Sequence, residues 1–161
     1  MEMNIGEPKD VAKASITALN NLLADEFVLL AKSWNFHWNV KGPSFGSYHA
    51  FLEKIYTEAF NNIDDIAERI RAIDGRPIGS LKGALEHNRI KEEEEHEPLP
   101  TASGMFKILL EDYETVIREV KNDLKNLESK DPLDEGTLSF LQSYVEKTEK
   151  TCWMLRAHLD K

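Results

Sequence analysis

Residues 37–68, HWNVKGPSFGSYHAFLEKIYTEAFNNIDDIAE, contain the ends of two helical patterns and the turn between them. Gly42 and Pro43 interrupt the first pattern, so His37 is predicted to lie in the last turns of one helix. Ser44 is placed to cap the next helix, near whose beginning His49 lies. From there apolar residues recur every three or four positions. The segment therefore predicts two long helices with a histidine on either side of their turn.

Two pairs of metal-binding residue types occur four residues apart in this segment. His49 and Glu53 form one pair and Asp64 and Glu68 the other, and residues four apart share a helix face. At about 1.5 Å per residue, Asp64 lies about 22 Å from His49 along a continuous helix, whereas metal–ligand distances are roughly 2 Å. If all these groups bind the same ion, a second copy of the helix must supply half of the site. An antiparallel two-fold pairing of this helix would place the histidine end of one copy beside the acidic end of the other.

Spacing alone leaves several assignments open. Asp65 shares a face with Glu68 just as Asp64 does. Glu53 is a ligand, an exposed helix residue, or a partner that orients a ligand. Trp38 is a packing residue or an electron source beside a redox metal. Imidazole nitrogens combined with carboxylate oxygens suit iron, zinc or manganese, whereas an all-oxygen set would suit calcium or magnesium.

The composition predicts one soluble domain spanning residues 1–161. A hydrophobic content of 41% in 161 residues suffices for one sizeable core and not for two. The longest strictly apolar run, residues 27–31, is too short to span a membrane, and the N-terminus lacks signal-peptide features. A single cysteine, Cys152, permits no disulfide within the chain and is predicted to pack in the core, so we expect a cytoplasmic protein. The formal charge of −9 disfavours nucleic acid and membrane and favours cations.

Helical patterns and one long connection organise the chain. Residues 1–9 are predicted to be a short flexible tail. The connection between the second and third helices, residues 75–100, is rich in Pro and Gly and contains a candidate short helix at residues 81–87. Four helices with one long crossover after the second indicate an all-α, ferritin-like four-helix bundle. The helices are predicted at about residues 10–38, 44–73, 101–127 and 138–159.

Two acidic segments lie between the predicted helices. Residues 91–97, KEEEEHE, are typical of a solvated surface and contain the only Glu-x-x-His of the chain, from Glu93 to His96. Because a di-iron bundle uses two such pairs on its helices, a di-iron centre inside the bundle is not supported. In the turn before the fourth helix, Asp131, Asp134 and Glu135 form either a capped turn or, around a symmetry axis, a negative funnel for cations.

The combination of HW at residue 37, GP at residue 42, H at residue 49 and DxxxER from residue 64 resembles the signature of the Dps proteins, also called mini-ferritins. The resemblance implies a hollow shell of twelve four-helix subunits. Such a shell oxidises ferrous iron, preferably with hydrogen peroxide, and stores the ferric mineral. The resemblance also favours Asp64 over Asp65 as the iron ligand. The implied iron ligands are His37 and His49 of one subunit, Asp64 and Glu68 of its two-fold mate, and Glu53 as an accessory ligand.

We therefore expect a cytoplasmic ferroxidase and iron store that assembles as a homododecamer and uses iron and hydrogen peroxide. Two alternatives share the fold: a DNA-compacting protein with little catalytic role, and an adhesin-like surface protein. Some members of the family bind DNA through a lysine-rich terminal tail. Here residues 1–10 hold only Lys9 against Glu2, Glu7 and Asp10. The tail therefore disfavours DNA binding.

Overall fold

The computed structural model describes residues 4–92 and 98–159 and contains five helices and no strand in those ranges. The four long helices and the short helix of the crossover are confirmed, with ends within a few residues of the predicted ones. The acidic run at residues 93–97, with Glu93 and His96, lies outside the described residues. The helices are α1 (Lys9–Asn39), α2 (Phe45–Ala72), α3 (Leu81–His87), α4 (Ala102–Glu128) and α5 (Glu135–Leu159).

The apolar faces of the four long helices meet in one core. Short loops join α1 to α2 and α4 to α5, so each pair packs as antiparallel neighbours. Cys152 is buried in this core, as predicted, and burial raises the pKa of its thiol to about 11. Fully buried members from each helix include Leu22, Leu29, Leu52, Ile66, Leu109, Val116, Leu141 and Leu155.

Helix α1 is long and apolar enough, by composition alone, to cross a membrane. Its most apolar window is 61% buried inside the bundle, however. Buried residues of α1 extend from Val11 to His37 and cover more than one stripe of the helix. This pattern is that of a core helix which packs against neighbours on several sides.

Side-chain caps fix where several helices begin. The Thr101 hydroxyl oxygen accepts a hydrogen bond from the Gly104 N–H at 3.2 Å and so starts α4. The Ser80 hydroxyl accepts one in the same way at the start of α3. Ser44 does precede α2, but its predicted side-chain cap is wrong, since its hydroxyl makes no capping hydrogen bond.

Asp134 caps α5 and is only 4% exposed. Its Oδ1 accepts hydrogen bonds from the Thr137 N–H and from Nη2 of Arg69, both at 2.9 Å. The capped-turn interpretation is therefore confirmed for this residue, and its carboxylate is not available to line an open funnel. Asp131 and Glu135 lie on the exposed surface of the same turn.

Arg89 ties the crossover to two helices of the bundle. Its Nε and Nη2 donate to Oδ2 of the fully buried Asp25 on α1 at 2.9 and 2.7 Å, and its backbone N–H donates to Oδ1. Its Nη1 donates to Asp123 on α4 at 2.6 Å. Burial raises the pKa of Asp25, and the Arg89 guanidinium works against that rise. This Arg89 clamp compensates two carboxylates that would otherwise lie unpaired against the core.

Replacing Arg89 with Met is expected to destabilise the protein by about 3–5 kcal/mol, because breaking a buried ion pair leaves a charge without a partner. Urea unfolding at a fixed subunit concentration measures the loss. The matched control is Arg156→Met, which removes a guanidinium from an ion pair with Glu114 whose side chains are 50% and 40% exposed. That pair is worth at most about 1 kcal/mol. Equal losses in the two variants would contradict the assigned role of the clamp.

One glutamic acid lies inside the bundle, a feature that the sequence analysis missed. Glu26 of α1 is 0% exposed. Its Oε1 accepts hydrogen bonds from the Tyr144 hydroxyl at 2.6 Å and from Nδ2 of Asn62 at 3.1 Å, whereas its Oε2 has no partner. Burial raises the pKa of Glu26 to about 8, although both hydrogen bonds act to lower it. Glu26 is therefore predominantly protonated at neutral pH.

Candidate metal centre

The turn between α1 and α2 brings two histidines together. The Val40 N–H donates to the Phe36 carbonyl at 2.9 Å and closes α1. Gly42 follows with φ of +129°, a backbone conformation that side chains other than glycine rarely adopt. The chain then reverses, and α2 begins at Phe45. As a result, the last turn of α1 and the first turn of α2 face each other.

The imidazole rings of His37 and His49 stack with their centroids 3.7 Å apart and their planes 22° apart. Nδ1 of His37 contacts the backbone carbonyl of His49 at 3.0 Å, and Nδ1 of His49 contacts the backbone carbonyl of His37 at 3.0 Å. A carbonyl oxygen only accepts hydrogen bonds, so each Nδ1 carries the proton. In the neutral tautomer that this contact selects, Nε2 is the nitrogen without a proton and is the atom suited to bind a metal.

Aromatic side chains hold the histidine pair in place. The Tyr56 ring meets His37 edge-on at 5.0 Å, and Phe45 packs against His49 at 5.0 Å. Its residue type and spacing place Tyr56 among the apolar positions of α2. Its spacing of seven residues, two helical turns, after His49 was the available signal. These contacts limit rotation of both rings, so the nitrogens are oriented before any ion arrives.

Trp38 contributes little to packing within its own chain, since it is 69% exposed. Its ring stacks on Trp34 with centroids 6.2 Å apart and planes 12° apart. Trp34 in turn contacts Tyr56 at 6.2 Å. An aromatic series therefore runs from the surface to the tyrosine that touches His37, which leaves the electron-source interpretation of Trp38 open.

The carboxylates of the predicted site all lie on exposed positions of α2. Asp64 and Glu68 share a face more than three turns beyond His49, and Asp65 and Glu53 are exposed as well. Within residues 4–92 and 98–159 of one chain, no three His, Cys, Asp or Glu side chains converge as a metal site. One chain therefore brings the two histidines together but does not bring the carboxylates to them.

The residue after Glu68 connects this acidic end of α2 to the start of α5. Nη2 and Nε of Arg69 donate to the Thr137 hydroxyl at 3.0 and 3.1 Å, and Nη2 also donates to Asp134. A Cβ atom on Gly136 would lie 2.7 Å from the same nitrogen, so a larger residue there would displace the guanidinium from this position. The arrangement fixes the orientation of α2 near Glu68 and so helps to present its carboxylate.

A family model described as a ferritin-like domain matches residues 16–161. The chain is 42% identical to DNA protection during starvation protein 2 of Bacillus anthracis, over 92% of this chain and 99% of that protein. It is 38% identical to an uncharacterised low temperature-induced protein of a Nostoc species, over 98% of this chain and 87% of that protein. These matches define a ferritin-like protein.

Comparison with solved structures identifies the family within the ferritin-like class. The Dps protein of Bacillus brevis superposes with a TM-score of 0.86 at 34% identity, covering 96% of this chain and all of that one. The Dps protein of Vibrio cholerae, described as a member of a broad superfamily of ferritin-like diiron-carboxylate proteins, superposes with a TM-score of 0.88 at 31% identity, covering 99% and 98%. The chain belongs to the Dps family of mini-ferritins.

Proposed function

We propose that the protein oxidises iron(II), with hydrogen peroxide as the preferred oxidant, and stores the ferric product inside a homododecameric shell. The observation that carries this proposal is the histidine pair, in which each Nδ1 contacts the backbone carbonyl of the other histidine and each Nε2 remains for a metal. Membership in a ferritin-like family supports iron as the metal. We assign His37 and His49 of one subunit, Asp64 and Glu68 of a two-fold mate, and Glu53 as an accessory group to iron binding.

Exposed apolar side chains support a second copy of the chain as the missing half of the site. Trp38 adjoins His37, and Phe60, which is 59% exposed, lies one turn before Asp64. Large apolar side chains of this kind favour a protein interface. An isologous interface that covers both would place the carboxylates of each chain beside the histidines of the other.

The proposed chemistry assigns a distinct task to each group. The imidazole Nε2 atoms provide nitrogen ligands for iron(II), and the carboxylates offset the charge that the iron gains on oxidation. Two iron(II) ions give one electron each, and one peroxide takes both electrons and two protons to leave as two waters. Trp38, 69% exposed beside the site, is an additional electron source when only one iron(II) is bound. Pairwise electron delivery would limit the formation of hydroxyl radicals.

The direct test is the stoichiometry of the reaction under anaerobic conditions. We expect the purified protein to consume about one peroxide for every two iron(II) ions, as two-electron reduction requires, with little spin-trapped hydroxyl radical. The variant His37→Ala/His49→Ala serves as the control and should leave only the slow background reaction. A one-to-one ratio with abundant radical, equal to that of free iron, would reject the proposal.

DNA binding is the second candidate function, because several relatives are named for DNA protection. We expect negligible binding to duplex DNA near neutral pH and physiological salt, since each chain carries a net charge of −9. Gel retardation in the presence of a chelator measures this, because divalent cations can bridge two acidic surfaces. A sub-micromolar complex under those conditions would favour the DNA-compacting alternative. Protection of DNA would otherwise follow from the removal of iron and peroxide.

The cytoplasm is the proposed compartment. The burial of α1 in the bundle argues against a membrane span, and a chain with the single cysteine Cys152 fits a reducing compartment. An adhesin-like role at the cell surface is the remaining alternative, and labelling of intact cells with an impermeant reagent separates the two. Labelling of the protein before lysis would contradict the cytoplasmic assignment.

A further inference from the structure

Two buried carboxylate oxygens that lack a hydrogen-bond partner come from residues grouped around the start of α5. They are Oε1 of Glu7 in the segment before α1 and Oδ2 of Asp134 in the α5 cap. Asp134 is nearly fully buried, and the fully buried Ser15 of α1 lies beside it. An unsatisfied buried polar atom destabilises a fold, so this group of atoms calls for a physical explanation.

The Glu7 and Asp134 carboxyl groups are in hydrogen-bond contact with each other. Two ionised carboxylates in contact would repel each other, but a single proton between them gives an oxygen of each a hydrogen-bond partner. The other oxygen of Asp134 is already occupied by the Thr137 N–H and the Arg69 guanidinium. The oxygens that remain, Oε1 of Glu7 and Oδ2 of Asp134, are the two that one shared proton would join.

The charges around the pair decide which residue carries the proton. Burial acts to raise the pKa of Asp134, but the Thr137 hydrogen bonds, Ser15 and the Arg69 charge outweigh it and hold that pKa below its ordinary value. Burial, followed by the charge of Asp134, raises the pKa of Glu7, and Arg69 opposes this only in part. The proton therefore belongs to Glu7, which donates to an ionised Asp134.

A metal cation is a poorer explanation for the same group of oxygens. The Arg69 guanidinium lies 2.9 Å from Asp134 and already supplies the positive charge that the carboxylate needs. A second cation would be placed beside that guanidinium and repelled by it. A proton has no such conflict, because it leaves Glu7 neutral.

We propose that Glu7 and Asp134 share one proton, and that this proton fastens residues 4–8 to the start of α5 and releases them when it is lost at higher pH. Besides Pro8, the segment has one more apolar residue, Ile5. The Ile5 side chain is 62% exposed and provides no alternative anchor. When the proton leaves, two carboxylates face one guanidinium, and the segment separates from the bundle. The N-terminal segment is thus a pH-operated latch whose partner lies on the bundle of the same chain.

The direction of the pH effect follows from linkage. Glu7 binds its proton more tightly in the docked segment than in the free one, because its pKa is raised above the ordinary 4.5 only when docked. Docking is therefore complete at acidic pH, and it weakens by up to about tenfold per pH unit as the pH rises through the interval between the two pKa values.

Amide hydrogen exchange of the N-terminal peptide in the assembled full chain tests the proposal. We expect its protection, corrected for intrinsic exchange, to fall in the wild-type protein as the pH rises above the ordinary glutamate pKa of 4.5. In Glu7→Gln the side-chain amide donates permanently to Asp134, so protection should stay high and independent of pH. In Glu7→Ala protection should be low throughout. Glu135→Gln, which removes an exposed carboxylate from the same turn, should retain the wild-type profile.

Three outcomes would overturn the latch. The first is a wild-type protection that does not change with pH, and the second is a Glu7→Gln profile that matches the wild-type profile. The third is a protection that disappears on addition of EDTA and returns with calcium or magnesium, which would assign the oxygens to a cation instead.

Discussion

Co-assembly of two inactive variants is expected to restore about a quarter of the wild-type ferroxidase rate. One variant carries His37→Ala and His49→Ala, and the other carries Asp64→Ala and Glu68→Ala. In a mixed two-fold dimer, one site combines both defects, whereas the other takes intact histidines from one chain and intact carboxylates from its partner. About half of randomly paired dimers are mixed, and half of their sites are complete.

The expected recovery follows from the geometry of the single chain. The histidines already stack at 3.7 Å, while no third ligand joins them within the described residues of that chain. A site built within one chain would recover nothing, because every chain is defective. Zero activity in a verified mixed shell of folded variants would therefore reject the interface site. Asp65→Ala is the matched control, since it removes the neighbouring exposed carboxylate and should retain activity.

Glu26→Gln is expected to stabilise the protein by about 2 kcal/mol at pH 7. The folded-state pKa of Glu26 is about 8, against an ordinary value of 4.5. Between these values the unfolded chain loses its proton while the folded chain retains it, so stability falls by about 1.4 kcal/mol per pH unit as the pH rises. Glutamine cannot ionise, and its carbonyl still accepts from Tyr144 and Asn62. Its unpartnered amide offsets part of the gain.

Urea unfolding at about pH 5, pH 7 and pH 8.5 tests this, at one subunit concentration because assembly also stabilises the fold. The stabilisation by Glu26→Gln should be small at the lowest pH and increase toward the highest. Glu146→Gln removes an exposed carboxylate from α5 and should change stability by less than about 0.5 kcal/mol. A Glu26→Gln effect that is equal at all three pH values would contradict a buried, protonated Glu26.

The helices were predictable because their apolar positions recur with helical spacing over many turns. The start of α4 follows from Thr101, whose residue type favours the N-cap position that it occupies. The proximity of His37 and His49 followed from the Gly-Pro turn between them. Each of these features depends on residues that are close in the sequence, where spacing carries the information.

The features that escaped prediction depend on distant partners. Glu26 occupies a core position because Tyr144, 118 residues away, donates to it, and an apolar pattern gives no signal for such a residue. The orientation of both imidazole nitrogens depends on backbone carbonyls, whose positions no side-chain spacing encodes. The Asp134 cap was recognisable as one of two alternatives, but its burial depends on Arg69 from another helix.

The Arg89 clamp also bears on how fast the subunit unfolds. The partners of Arg89 lie 64 residues before it and 34 residues after it. Its ion pairs therefore form only when the crossover packs against both α1 and α4. Contacts of such long range form late, after the local helical hairpins. Interactions that are absent from the transition state govern the unfolding rate rather than the folding rate. We therefore expect the clamp to slow unfolding of the subunit while leaving its folding rate nearly unchanged.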